Sequence, residues 1–186
     1  MPQEGSILLE PERIRKLNDR LPQKGRFVLY WMQASQRTEY NHALEYAVSL
    51  ANEYRLPPVV LFGLTNAFPE ANLRHYTFML EGLKEVETSL KKRGTQFVLR
   101  RQSPEKAACD MAKEAALVVT DRGYLRIQKA WREHVARCAP CPVIQVESDV
   151  VVPVEVASSK EEYAAATLRP KIQRLIDTYL LPLKET

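Results

Sequence analysis

The stretch Phe27-Val28-Leu29-Tyr30-Trp31-Met32-Gln33-Ala34-Ser35-Gln36-Arg37-Thr38-Glu39-Tyr40-Asn41 decides the fold. It opens as a continuous apolar run, the pattern of a strand covered on both faces in a parallel sheet. Ala34, Ser35 and Gln36 form a short polar turn. From Thr38 onward Ala43, Leu44, Ala47, Val48 and Ala51 recur at three- and four-residue spacing, which predicts a helix with one apolar face. Together these segments make a βα unit, and ligands of such folds lie at the carboxyl ends of the strands.

The same alternation continues downstream. Residues 59–64, 96–100, 117–121 and 141–148 read as further buried strands. Between them fall a long helix over 72–93, with Gly94 placed as its C-cap glycine, and a short alanine-rich helix over 105–115 with Ser103 as N-cap and Pro104 at its first position. A helix carrying Ile127, Ala130, Trp131, His134, Val135 and Cys138 on its apolar face precedes the last strand. Five strands alternating with four helices predict an α/β fold, a five-stranded parallel doubly wound (Rossmann-like) sheet flanked by helices. Upstream, Pro11, Ile14 and Leu17 suggest a short helix that Pro22 and Gly25 end. Past Val150 the pattern changes to an extended 150–154, a short helix from 159, a break at Pro170 and a last helix over 171–180. The organisation expected is an N-terminal extension (1–25), an α/β domain (26–156) and a linker or helical segment (157–186).

At 186 residues the chain suits one core. Its net charge of +4 permits contact with nucleic acid, but 27 basic residues are spread along the chain and opposed by 23 acidic ones, the pattern of a solvated surface rather than a phosphate-binding stripe. Residues 1–6 lack the basic start of a signal peptide, the apolar Ile7-Leu8-Leu9 is too short for its core, and no run reaches the ~20 apolar residues of a membrane span, so a cytoplasmic protein without a membrane partner is expected. Cys138 and Cys141 form a C-x-x-C, but at the end of a helix rather than its start, where the dipole would activate a thiol; Cys138 reads as a buried structural thiol. Two such cysteines without a second pair argue against a zinc site, and no metal is expected.

The six glycines make neither G-x-G-x-x-G nor G-x-x-x-x-G-K-[ST], which argues against an ordinary dinucleotide or P-loop site. No Ser/His/Asp set can be assembled from three histidines, and His75 reads as structural. No catalytic residue is assigned.

The pattern Tyr-Trp-Met-x-x-x-Gln-Arg-x-x-x-Asn-x-Ala-Leu from Tyr30, then Leu73-Arg74-His75-Tyr76-Thr77-Phe78-Met79-Leu80-Glu81-Gly82-Leu83, then Val119-Thr120-Asp121 with Leu125-Arg126 and Trp131, resembles the N-terminal domain of class II cyclobutane-pyrimidine-dimer DNA photolyases. The resemblance runs from about Arg26 to the segment Thr167-Leu168-Arg169-Pro170-Lys171-Ile172. It implies a domain holding an antenna chromophore, an 8-hydroxy-deazaflavin more than a folate, that passes excitation to FAD in a helical domain; that domain, with UV-damaged DNA as the target of the whole protein, is absent here. The chain alone is therefore expected to be inactive in light-dependent repair. Competing readings are a chromophore-free interaction or cryptochrome-like module and an ATP- or nucleotide-binding α/β domain.

The resemblance also implies the strand order 3-2-1-4-5, which reverses between the first and fourth strands and brings residues 31–37 near 121–124. The ligand contacts expected on that basis are Trp31, Met32, Gln33, Arg37, Asn41, Asp121 and Tyr124, with Trp31 and Met32 serving equally well as core. Where many photolyases carry Arg-Asp after the first strand and Asp-Asn in the helix, this chain has Ala34-Ser35 and Tyr40-Asn41.

Overall fold

A computed structural model describes residues 9–184, so the Ile7-Leu8 pair weighed above lies outside the described residues. Its six-stranded sheet is built from β1 (Ile14–Lys16), β2 (Phe27–Trp31), β3 (Pro58–Gly63), β4 (Gln96–Arg100), β5 (Ala115–Asp121) and β6 (Val143–Val146), in the order β1-β6-β5-β2-β3-β4. The last five are mutually parallel and lie in the expected order, with the reversal between β2 and β5.

The sixth strand replaces the expected N-terminal helix. Pro11–Arg13 form a single 3-10 turn, and β1 then pairs antiparallel with β6, Ile14 opposite Val146 and Lys16 opposite Ile144. Ile14 and Leu17 offered only a narrow helical edge, whereas the open edge of β6 presents unpaired backbone groups that a strand satisfies. Arg13, 2% exposed, locks the corner: its guanidinium donates to the carbonyls of Glu147 (3.3 Å), Val150 (2.9 Å) and Val151 (2.6 Å), and it lies 5.6 Å from the ring of Tyr179.

Helices cover both faces. On one side α1 (His42–Tyr54) and α2 (Leu73–Lys92) pack Leu44, Ala47, Leu83, Val86 and Leu90 on Val28, Tyr30, Val60 and Val119. On the other, α3 (Pro104–Ala112) and α4 (Arg126–Cys138) pack Ala107, Ala108, Met111 and Val135 on Leu29, Trp31, Leu61 and Val118. Alternate residues of β2 thus feed two separate cores, the physical content of its unbroken apolar run. Gly94, at φ +69°, ends α2 in the left-handed conformation that glycine adopts without strain.

Several expectations fail locally. The segment after β6 holds no strand over 150–154 and no helix over 159–163; instead come α5 (Val154–Ala157), α6 (Ala165–Gln173) and α7 (Ile176–Tyr179). Pro170 sits inside α6 rather than breaking it. On α4, Cys138 is exposed and bonded to Cys109 of α3, with Cα atoms 6.1 Å apart, while Cys141 is the buried thiol, its pKa pushed up to about 11 by burial. Gln128 and Arg132 take the inward positions that Ala130 and His134 were expected to fill, both of which face solvent.

Candidate functional site

β2 ends at Trp31, and the chain reaches α1 through a loop whose form is dictated by one carboxylate. Asp121 ends the neighbouring strand β5, and its fully buried side chain accepts hydrogen bonds from the consecutive backbone N–H groups of Gln33 (2.8 Å), Ala34 (2.6 Å) and Ser35. Successive N–H groups turned to one point form a concave anion site. In a dinucleotide fold such donors meet a pyrophosphate; here an internal anion occupies them. Burial raises the Asp121 pKa above the ordinary carboxylate value, and the three N–H donors pull it back down.

Asn41 fixes the far end of the loop. Its Oδ1 accepts from Leu44 N–H (3.0 Å), capping α1, while Nδ2 donates to the Tyr30 hydroxyl (3.0 Å) and to the carbonyls of Ser35 (3.1 Å) and Arg37 (2.9 Å). This cap explains why α1 starts at His42 rather than near Thr38, with Tyr40 at φ 47° turning the chain into it. Residues after β6 close the arrangement. Asp149 takes a hydrogen bond from Ser35 Oγ (2.6 Å) and pairs with Arg37 (2.8 Å), whose guanidinium also donates to the Ser148 carbonyl (2.9 Å); Ser148 Oγ accepts from Ala43 N–H (2.9 Å).

The expected site residues therefore separate. Gln33 and Arg37 line a cavity of about 660 Å³. Asn41 and Asp121, wholly buried, are spent on the loop backbone. Trp31 and Met32 are also wholly buried, in the two different cores, and Trp31 Nε1 has no partner among the described residues. Tyr124 belongs to a polar cluster apart from the cavity lining: its hydroxyl donates to Glu147, and Arg122 lies 5.4 Å from its ring while pairing with Glu147 (3.2 Å) and Glu155. With its switch-point crevice filled by Asp121 and the loop it holds, the sheet opens instead over the end of β3.

There the cavity has aromatic and apolar walls. Phe62 and Gly63 end β3, Phe68 follows in the loop, α2 contributes Tyr76, Phe78, Met79 and Gly82, and Trp131 reaches in from α4. Phe68 and Trp131 meet edge to face, centroids 6.1 Å apart. A Cβ at Gly63 would stand 2.5 Å from Pro104 Cα, so only glycine lets α3 start this close to the strand end. Polar groups at the lining come from Gln33, Gln36, Arg37, Thr65, His75, Tyr76 and Gln128, a minority of the lining residues. His75 is partly engaged, its Nδ1 accepting from Asn72 N–H (3.1 Å) in a capping box. Such a space suits a planar aromatic ligand oriented by a few hydrogen bonds; it assembles no nucleophile with a base.

Reasoning from the sequence missed the α2 and α4 contributions. A signal was present: Phe78, 81% exposed, and Leu73, 82% exposed, stand off the buried stripe of Leu83, Val86 and Leu90, so the first half of α2 has apolar residues that the core does not use.

His42, next to the cap, is a half-buried titratable group with no catalytic partner. Burial, followed by Arg13 and Arg37 against an opposing pull from Glu10, lowers its pKa to about 4. A histidine whose folded value lies below the unfolded one is protonated more readily when unfolded, so stability is full above about pH 6.5 and falls as pH drops toward 4. Urea midpoints between pH 7 and 4.5 are expected to decline along this window, with a shallower decline in His42→Gln; equal slopes would remove His42 as the cause.

A family model described as DNA photolyase matches residues 28–186. A deoxyribodipyrimidine photo-lyase of Methanothermobacter thermautotrophicus is 51% identical over 178 residues, spanning 95% of this chain and 40% of the relative. One from Arabidopsis thaliana is 35% identical over 184 residues, spanning 95% and 37%, and one from Potorous tridactylus 34% over 175 residues, spanning 91% and 33%. The chain thus spans 33% to 40% of the length of these curated relatives. Among solved structures, an archaeal photolyase from Sulfolobus tokodaii with two FAD molecules superposes with a TM-score of 0.69 at 14% identity, over 79% of this chain and 34% of that one, a likeness of fold. No helix among the described residues is long and apolar enough to cross a membrane. With its sheet and these relatives in agreement, the chain belongs to the DNA photolyase family and corresponds to its N-terminal α/β domain.

Proposed function

We propose that this chain is the light-harvesting domain of a class II photolyase, holding an 8-hydroxy-deazaflavin-type antenna in the cavity between the β2–α1 loop, the end of β3 and α2. The observation that carries the reading is the cavity itself: about 660 Å³, walled by Phe62, Phe68, Phe78 and Trp131, with few polar groups and no reactive pair. When bound, the chromophore supplies absorption of light and transfer of excitation to a flavin. That task asks the protein for fixed position and exclusion of water, not proton transfer. Gln33 and Arg37 orient the polar edge of the ring. Trp31, Met32, Asn41 and Asp121 act from beneath by fixing the loop and its floor, and Tyr124 steadies the turn after β5.

In this reading β1 (Ile14–Lys16), within the N-terminal extension 1–25, braces the sheet edge, 26–156 form the antenna domain, and 157–186 are the linker toward an FAD-binding helical domain that acts on UV-damaged DNA in the cytoplasm. The S. tokodaii photolyase, solved with two FAD molecules, makes a flavin the second candidate for the cavity.

Fluorescence titration of the purified chain with 8-hydroxy-deazaflavin, FAD, a folate and ATP separates these readings. Saturable one-to-one binding of deazaflavin, weakened on the order of tenfold in Arg37→Ala by loss of a charged hydrogen bond, is the expected result. Tighter binding of FAD or folate would replace the chromophore. Preference for ATP would replace the class of function, and no binding of any would favour an interaction module.

A further inference from the structure

The contact between α3 and α4 carries a cluster that the cavity does not use. The Sγ atoms of Cys109 and Cys138 and an imidazole nitrogen of His134 all lie within 4.8 Å of one another. His134 and Cys138 are one helical turn apart on α4, and Cys109 projects from α3. His134 and Cys138 are exposed and Cys109 is half-buried, so reductants and ions reach all three. The spacing of Cys138 and Cys141 alone argued against a metal; the fold supplies a different second thiol and a histidine.

We propose that Cys109, Cys138 and His134 form a Cys2His site for a thiophilic divalent cation of the Zn²⁺ type, open when the two thiols are reduced and closed when they are joined as a disulfide. Bonds of about 2.3 Å to sulfur and about 2.0 Å to nitrogen place tetrahedral ligands roughly 3.5–3.8 Å apart. Opening the disulfide and small rotations about the three side-chain bonds bring the set to that separation, leaving solvent at the fourth position. In a reducing compartment an accessible disulfide is converted to the dithiol, the form that binds. Reversal needs an oxidant of the disulfide class. The two bound thiolates pass two electrons to it, an S–S bond forms between Cys109 and Cys138, the oxidant's S–S bond breaks to two thiolates, and the cation leaves.

The test uses the full chain, reduced with a phosphine, freed of reductant and metal, and titrated with Co²⁺. Thiolate-to-cobalt charge-transfer absorption and tetrahedral d–d bands should appear at one equivalent and disappear on adding Zn²⁺. Cys109→Ser and Cys138→Ser should each abolish the charge-transfer spectrum expected of a two-thiolate site. His134→Ala should weaken binding on the order of tenfold or more and alter the d–d bands, while Cys141→Ala should match wild type. Oxidised glutathione added to the cobalt form should bleach it and yield a Cys109–Cys138 linked peptide by mass spectrometry. Circular dichroism checks that each variant is folded. The proposal is overturned if the reduced wild type shows no thiolate-to-cobalt band, if the band survives in the Cys109 or Cys138 variant, or if His134→Ala binds as wild type does.

Discussion

Asp121→Ala is expected to lower the unfolding free energy by about 3 kcal/mol or more in the absence of any ligand. The side chain removed is buried and accepts the N–H groups of Gln33, Ala34 and Ser35. A buried donor left without a partner costs roughly 1–3 kcal/mol, and alanine strands three, although loop movement and entry of water recover part of the loss. Asp121→Asn keeps one acceptor oxygen but turns an amide toward the same donors, so it should fall between alanine and wild type. Urea denaturation at pH 7 measures all three. The same loop carries Gln33 and Arg37 to the cavity, so chromophore binding should weaken in step with stability. A stable Asp121→Ala chain with only its ligand affinity reduced would instead place the carboxylate on the ligand, in the crevice first read from the strand order.

That contrast marks where the sequence stopped being legible. The apolar run 27–31 carried the strand, its two buried faces and its place in a parallel sheet, because burial on both sides leaves no other pattern. Gly94 and Pro104 marked helix ends through conformations that each residue favours locally. β1 was illegible for the opposite reason: three residues with no alternation of their own become a strand because β6 offers them an edge. Asp121, at the end of a strand, was read as a ligand contact; its partners in the structure are backbone N–H groups, which every residue has and no motif announces. Ser148 and Asp149, which tie down Arg37 and α1, lie over a hundred residues from what they hold. The disulfide partner of Cys138 was hidden in the same way, since Cys141 is nearer in sequence but Cys109 is nearer in space.

Gly82 offers the sharpest separation of binding from folding. It lies in the interior of α2 and lines the cavity, and a Cβ built on it meets nothing within 4 Å. No close approach requires a glycine there, and its helical backbone is open to any residue. Glycine within a helix costs about 0.5–1 kcal/mol relative to alanine, so Gly82→Ala should stabilise the chain by about that amount and leave ligand affinity nearly unchanged. Gly82→Phe should fold equally well but bind poorly. A helical side chain leans toward the helix N-terminus, and from position 82 that direction leads to Met79 and Phe78 at the cavity wall. The added ring would take the volume that a chromophore ring needs, and removing its place should cost about a hundredfold in affinity, equivalent to about 2.7 kcal/mol. Thermal unfolding and deazaflavin titration of the two variants, side by side, provide the test. A Gly82→Phe chain that retains wild-type deazaflavin affinity would move the chromophore out of this cavity, because no other outcome of filling it leaves a ligand there undisturbed.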